Sequence, residues 1–179
     1  MKWKNISQPN AGYFITTAIR NHFPLLTHSE VREIIYCSLT FLKDKYQCKI
    51  NGYCIMPEHI HLLIQSEGDI DISKFMEDFK RFTAKQIINH FKETQDHYWL
   101  GILKSRAYSG KIFSVWQETF RSELVCSDNF LLEKLNYIHN NPLRRGLVKD
   151  ILDWPHSSAP FYYAGKPGRI SVSLPPLTI

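Results

Sequence analysis

Met56-Pro57-Glu58-His59-Ile60-His61-Leu62-Leu63-Ile64 decides how the chain is read. Residues i and i+2 of a strand point to one face. His59 and His61 then project side by side, ~6–7 Å apart at Cα, within reach of one metal ion. Ile60 and Leu62 point the other way, into a core. Pro57 cannot continue a central ladder, so Met56-Pro57-Glu58 reads as a turn before a strand from His59 to Gln65. Lys49 to Ile55 alternates polar and apolar residues and forms the preceding strand of the same hairpin.

Outward from this hairpin, Tyr13 to Ile19 is rich in aromatic and β-branched residues and predicts a first strand. Met1 to Gly12 reads as a loose lead-in and Arg20 to His28 as a loop. Ser29 is the candidate N-cap of a helix from about Glu30 to Tyr46, with Val31, Ile34, Ile35, Leu39 and Leu42 at helical spacing. A second helix spans Ile72 to Lys92, with Phe75, Phe79, Phe82, Ile87, Ile88 and Phe91 as its apolar stripe. Gln95 to Lys111 reads as a loop or a short irregular helix, bounded by Gly101 and Ser109-Gly110. A fourth strand lies within Ile112 to Val125, and Ser127 or Asp128 caps a third long helix that runs to Asn141. Pro142 disfavours continuation and Gly146 marks a stop.

The order β-α-β-β-α-β followed by a helix predicts an α+β, ferredoxin-like (split βαβ) fold. Four antiparallel strands would carry two helices on one face and leave the other for a site and the last helix. The 179 residues fit one domain over 1–179, with a core at about 13–148 and a C-terminal tail at 149–179. No run of 18 apolar residues is present and the N-terminus lacks a signal-peptide stretch, so a cytoplasmic protein with no membrane partner is expected. The net charge of +5 suits a polyanionic partner such as nucleic acid without demanding one. Cys37, Cys48, Cys54 and Cys126 form no C-x-x-C pair, which argues for reduced, mostly buried thiols rather than a structural zinc site.

In Asn136-Tyr137-Ile138-His139-Asn140-Asn141-Pro142, Tyr137 and Asn141 are four apart and share a helix face. Asn141 offers a carbonyl oxygen suited to a hard cation such as Mg²⁺ or Mn²⁺. Tyr137 offers a phenol oxygen, a nucleophile that needs activation. Taken alone, Tyr137 also suits the edge of an amphipathic helix, and Asn141 its C-terminal turn.

Together these motifs resemble the single-tyrosine (HUH) transposases of the IS200-like superfamily, and more narrowly the REP-associated tyrosine transposases. The resemblance rests on Pro57-Glu58-His59-Ile60-His61, Tyr137 to Pro142, Gly146-Leu147-Val148 and Trp154-Pro155-His156-Ser157-Ser158. Phe79-Lys80-Arg81-Phe82-Thr83 and Val115-Trp116-Gln117 add to it, and it runs from about Tyr13 to Tyr163. H-x-H alone is weak; the ordered set is highly specific.

The resemblance implies a metal-dependent DNA endonuclease and strand transferase acting on single-stranded, hairpin-forming repeats. It implies Tyr137 as nucleophile through a 5′-phosphotyrosine, and His59, His61 and Asn141 as ligands of Mg²⁺ or Mn²⁺. Lys80, Arg81, Lys85, Arg144 and Arg145 are candidate phosphate contacts. Trp116 is a base-stacking candidate or a core residue. His139 points to a different helix face from Tyr137 and is not assigned to the metal. Trp154 to Ser158 would anchor the tail, or else screen the site or touch DNA. The chain departs from the family at Ser122-Glu123, where an acidic residue followed by histidine is common. The alternatives are a non-catalytic hairpin-binding or single-strand-binding protein, and a dimeric IS200-type transposase; a monomer and a homodimer both remain open.

Overall fold

The computed structural model describes residues 10–68, 70–105 and 112–175. Its centre is a four-stranded antiparallel sheet of β1 (Gly12–Ala18), β2 (Cys48–Ile55), β3 (His59–Ser66) and β4 (Arg121–Val125). The spatial order is β2-β3-β1-β4, the split βαβ arrangement expected. Helices α1 (Ser29–Lys45) and α2 (Ile72–Glu93) connect the strands. Three further α-helices follow α2: α3 (His97–Ser105) precedes β4, and α4 (Asp128–Arg144) and α5 (Ala159–Ala164) come after it.

Strand alternation divides the core in two. Tyr13, Ile15, Ile60, Leu62 and Ile64 face α1 and α2, against Ile35, Leu39, Phe75 and Phe79. Phe14, Cys54 and Leu63 face the other way, against Leu131, Leu135 and Ile138 of α4. His59 and His61 share parity with Leu63, so the hairpin carries them onto the α4 face.

Several boundaries differ from the sequence reading. His28, not Ser29, is the N-cap of α1, and the Ser29 hydroxyl donates to Glu30 Oε2 (2.9 Å). Of the span proposed for the fourth strand, only Arg121–Val125 joins the sheet as a strand. Trp116 makes one isolated bridge to Ile19. The ambiguous stretch after α2 contains α3, where Asp96 accepts from the Trp99 amide (3.0 Å) and the Trp99 ring stacks on Phe91. Ser109-Gly110 and the first nine residues of the lead-in lie outside the described residues.

Helix α4 passes through Pro142 to Arg144, three residues beyond the expected end. Proline removes one donor, but the turn closes around it: the Arg145 amide donates to Asn141 O (3.1 Å) and the Leu147 amide to Pro142 O (3.0 Å). Gly146, at φ 67°, then ends the helix. The C-terminal segment covers the free edge of β2. Ile55 N donates to His156 O (2.8 Å), Ser158 N to Tyr53 O (2.9 Å) and the Trp154 indole to Ile55 O (3.1 Å). Further along, Ser173 N donates to Ile50 O (3.0 Å).

The four cysteines are free; Cys48 and Cys54 are buried, whereas Cys37 and Cys126 are exposed, against the expectation of mostly buried thiols. Among the described residues no helix is long and apolar enough to cross a membrane.

Candidate active site

β3, β1 and α4 meet at His61. Thr16 lies directly opposite it in the β1–β3 register, and Thr16 Oγ1 stands 2.8 Å from His61 Nδ1. His61 Nε2 lies 3.0 Å from His59 Nε2 and 2.8 Å from Asn141 Nδ2. Glu58 Oε1 lies 3.1 Å from His59 Nδ1. Both histidines therefore have Nδ1 occupied on the outside and Nε2 turned inward, towards each other and towards the Asn141 amide.

The tautomers follow from the partners. A carboxylate accepts only, so His59 Nδ1 carries the proton and Nε2 a lone pair. With the Asn141 amide turned so that Nδ2 donates to His61 Nε2, His61 carries its proton on Nδ1, towards Thr16. In that arrangement the Nε2 atoms of both rings are turned into the space between His59, His61 and Asn141. Burial favours the neutral rings. It pushes the His61 pKa down to about 3, helped by His59 and Lys134. It also lowers that of His59, against the opposing pull of Glu58.

This donor set fits a divalent ion. A cation at this point would be met by the Nε2 lone pairs of both rings, and a half-turn of the Asn141 amide presents Oδ1 to the same point. The outer Glu58–His59 contact is the kind that orients a metal-binding imidazole. Among the described residues no group of three or more His, Cys, Asp or Glu side chains could hold a metal. Here the third donor is an amide.

Tyr137 stands one helical turn before Asn141. Its ring centroid is 5.4 Å from that of His61 and 6.1 Å from that of Phe14, edge-on to both. The side chain is 39% exposed and opens into a cavity of ≈ 570 Å³ lined by His22, His61, Arg121, Glu123, Lys134 and Tyr137, among others. Arg144 Cζ lies 5.7 Å from the Tyr137 ring centroid. One chain thus brings His59, His61, Asn141, Tyr137 and Arg144 together.

The remaining expected DNA contacts are placed differently. Lys80, Arg81 and Lys85 lie on α2, which packs on the opposite face of the sheet. The Lys80 ammonium donates to the carbonyls of Gln117 (3.0 Å), Glu118 (3.3 Å) and Thr119 (2.9 Å), so it pins a loop. Arg81 Nη2 donates to Asp78 (2.8 Å), and Lys85 is exposed on the same helix. Trp116 is a core residue: it is 5% exposed, packs on Phe79 and donates its indole N–H to Thr83 Oγ1 (2.9 Å). Arg145 reaches Glu58 Oε1 (3.0 Å).

Sequence reasoning missed Thr16, Glu58, His22 and Lys134. Thr16 needs the strand register to be found. Lys134 had a usable signal, three residues before Tyr137 on the same helix. It ion-pairs with Glu123 (2.9 Å) between the Phe14 and Phe130 rings. The departure at Glu123 thus supplies the partner of a cavity lysine. His139 is buried against Ser158 and Tyr162, away from the histidine pair.

The sequence pattern of the IS200-like transposases matches residues 7–141. A Haemophilus influenzae protein assigned to the REP-associated tyrosine transposases is 32% identical over 120 residues, covering 64% of this chain. The match spans only 61% of that protein's own length. An Escherichia coli REP-associated tyrosine transposase is 23% identical over 147 residues, 82% of this chain and 74% of its own. The solved structure of a REP-associated tyrosine transposase bound to a REP hairpin superposes with a TM-score of 0.71 at 20% identity. It covers 99% of this chain and 95% of that one, a likeness of fold. With its family pattern spanning most of the sequence, the chain belongs to the IS200-like transposase family.

Proposed function

We propose that this chain is a metal-dependent single-strand DNA endonuclease and strand transferase that works through Tyr137 on hairpin-forming, REP-like repeats. The observation that carries the reading is the placement of an accessible phenol one helical turn from Asn141 and beside His61, whose Nε2 meets those of His59 and Asn141's amide.

His59, His61 and Asn141 would hold Mg²⁺ or Mn²⁺, which when bound supplies Lewis-acid polarisation of a phosphate oxygen. Tyr137 Oη attacks phosphorus and loses its proton. The P–O3′ bond breaks, and the 3′ oxygen takes up a proton as the free hydroxyl. The products are a 5′-phosphotyrosine and a 3′-OH end, so the phosphoester bond is conserved and no nucleotide cofactor is consumed. Attack by a 3′-hydroxyl reverses the step and joins strands. Arg144, beside the Tyr137 ring, and Lys134, on the cavity wall, are placed to meet phosphate charge. All these groups come from one chain, which favours assembly of the site within a monomer. The hairpin substrate is taken from the similar transposase solved with a REP hairpin.

A labelled hairpin oligonucleotide with Mn²⁺ tests the reading. Wild type should yield a nicked strand and a denaturation-resistant adduct, and Tyr137→Phe neither. Wild type that binds the hairpin but never forms the adduct would leave a non-catalytic binding protein.

A further inference from the structure

Arg145, read from sequence as a DNA contact, points away from that role. Its Nη1 lies 3.0 Å from Glu58 Oε1, and the same oxygen lies 3.1 Å from His59 Nδ1. Glu58 is only 7% exposed. A carboxylate that buried needs a charged or hydrogen-bonding partner, and both of these converge on one oxygen.

The backbone on either side is fixed. Glu58 sits in the β2–β3 turn, where its carbonyl accepts from Ile19 N (2.8 Å), Pro57 O accepts from Leu26 N (2.9 Å) and Met56 N donates to His59 O (2.8 Å). Arg145 is the C-cap of α4, with its amide on Asn141 O (3.1 Å). The helix extends past Pro142 far enough to place this guanidinium over the turn.

We infer that Arg145 and Glu58 form a positioning relay for the metal site. Glu58 fixes the tautomer and plane of His59, and Arg145 fixes Glu58 and ties the histidine hairpin to the helix that carries Asn141 and Tyr137. This inference rests on the metal reading above. Glu58 holds the proton on His59 Nδ1, which leaves the Nε2 lone pair for a ligand. Arg145 neutralises Glu58, so the turn does not carry an isolated buried anion when no ion is bound. It also locks the distance between two elements that each supply donors.

Mn²⁺ titration by calorimetry on the purified full chain, without DNA, separates this from a phosphate role. Glu58→Gln should weaken Mn²⁺ affinity about 10–100-fold, the usual range for loss of an outer-shell partner. Arg145→Gln should weaken it in the same direction, Arg145→Lys less, and the Glu58→Gln/Arg145→Gln pair should cost less than the sum of the singles. Metal-free hairpin binding by Arg145→Gln should keep the wild-type dependence on salt. Thermal midpoints identify any variant that has failed to fold, and Arg145→Lys keeps the test open in that case. If wild type binds Mn²⁺ and Glu58→Gln and Arg145→Gln bind it equally well, the relay is overturned while the metal site stands. An Arg145→Gln that loses about one unit of salt slope with unchanged Mn²⁺ affinity makes it a phosphate contact and also overturns the relay. Wild type that takes up no Mn²⁺ overturns the metal reading and the relay with it.

Discussion

At Gly52 helix α4 packs tightly on the sheet. This glycine lies at the β2 register shift between Ile50 and Gly52. A Cβ there would stand 2.7 Å from Leu135 Cδ2 and 3.1 Å from Ile138 Cδ1. Carbon contacts prefer roughly 3.5–4.0 Å, so Gly52→Ala forces the helix outward by about 1 Å or Leu135 off its rotamer. Leu135 and Ile138 are buried in the small cluster with Phe14 and Leu63, which leaves little room for either. Overpacking of this kind costs roughly 1–3 kcal/mol, and loss of glycine freedom in the unfolded chain returns about 0.4–1 kcal/mol. The net is about 1.3 kcal/mol, or about 3–5 °C in melting temperature for a chain of this size. Catalysis should suffer more, because Tyr137 sits between these two contacts on α4. A displacement of about 1 Å at a reacting group costs on the order of 10²-fold in rate. The assay pairs a circular-dichroism melt with single-turnover nicking of a hairpin oligonucleotide at 25 °C, where the variant stays folded. Gly101→Ala on α3, where a Cβ meets nothing within 4 Å, is the control and should be neutral or slightly stabilising. A Gly52→Ala protein that melts and nicks like wild type would refute the close seating of α4 as a determinant of the site.

Acid should destabilise the fold in a defined window. Burial depresses the His139 and His156 pKa values to about 4, so the unfolded chain binds more protons between about pH 6.5 and pH 4. Stability is therefore full above pH 6.5 and falls as pH drops towards 4; the urea midpoint at pH 7 and pH 5 reads this, and His139→Gln should flatten the slope. Lys80→Ala should lower the melting temperature, because the 117–119 carbonyls lose their donor. It should leave the salt dependence of hairpin binding unchanged, and a slope reduced by about one unit would restore Lys80 as a phosphate contact.

The sheet and its two covering helices were legible because each carries a local signal of its own. The aromatic and β-branched run at Tyr13 to Ile19, the apolar run after His59 and the 3.6-period stripes of α1 and α2 agree with the tertiary core. Helix α3 was ambiguous because it is short, contains Gly101 and is held by Trp99 and Leu103 packing on the core, which no local pattern reveals. Pro142 misled because local propensity places a helix end there, whereas the capping bonds after it belong to the whole turn. In the site, His59, His61, Tyr137 and Asn141 were singled out by the ordered motifs that carry the family resemblance, and the fold brings the four together. The basic residues were not separable by type: Lys80 and Arg145 are both surface cations in a sequence, and only the fold sets one against carbonyls and the other against Glu58. Thr16 was invisible without the register that puts it opposite His61.

The central claim is that Tyr137 is the nucleophile. The most direct measurement is mass spectrometry of tryptic peptides from the protein–DNA adduct formed with Mn²⁺ and a hairpin oligonucleotide. Cleavage after Lys134 and Arg144 releases Leu135 to Arg144, in which Tyr137 is the sole tyrosine. A 5′-phosphonucleotide on that peptide, at Tyr137, is the expected result. An adduct mapped to any other residue would contradict it.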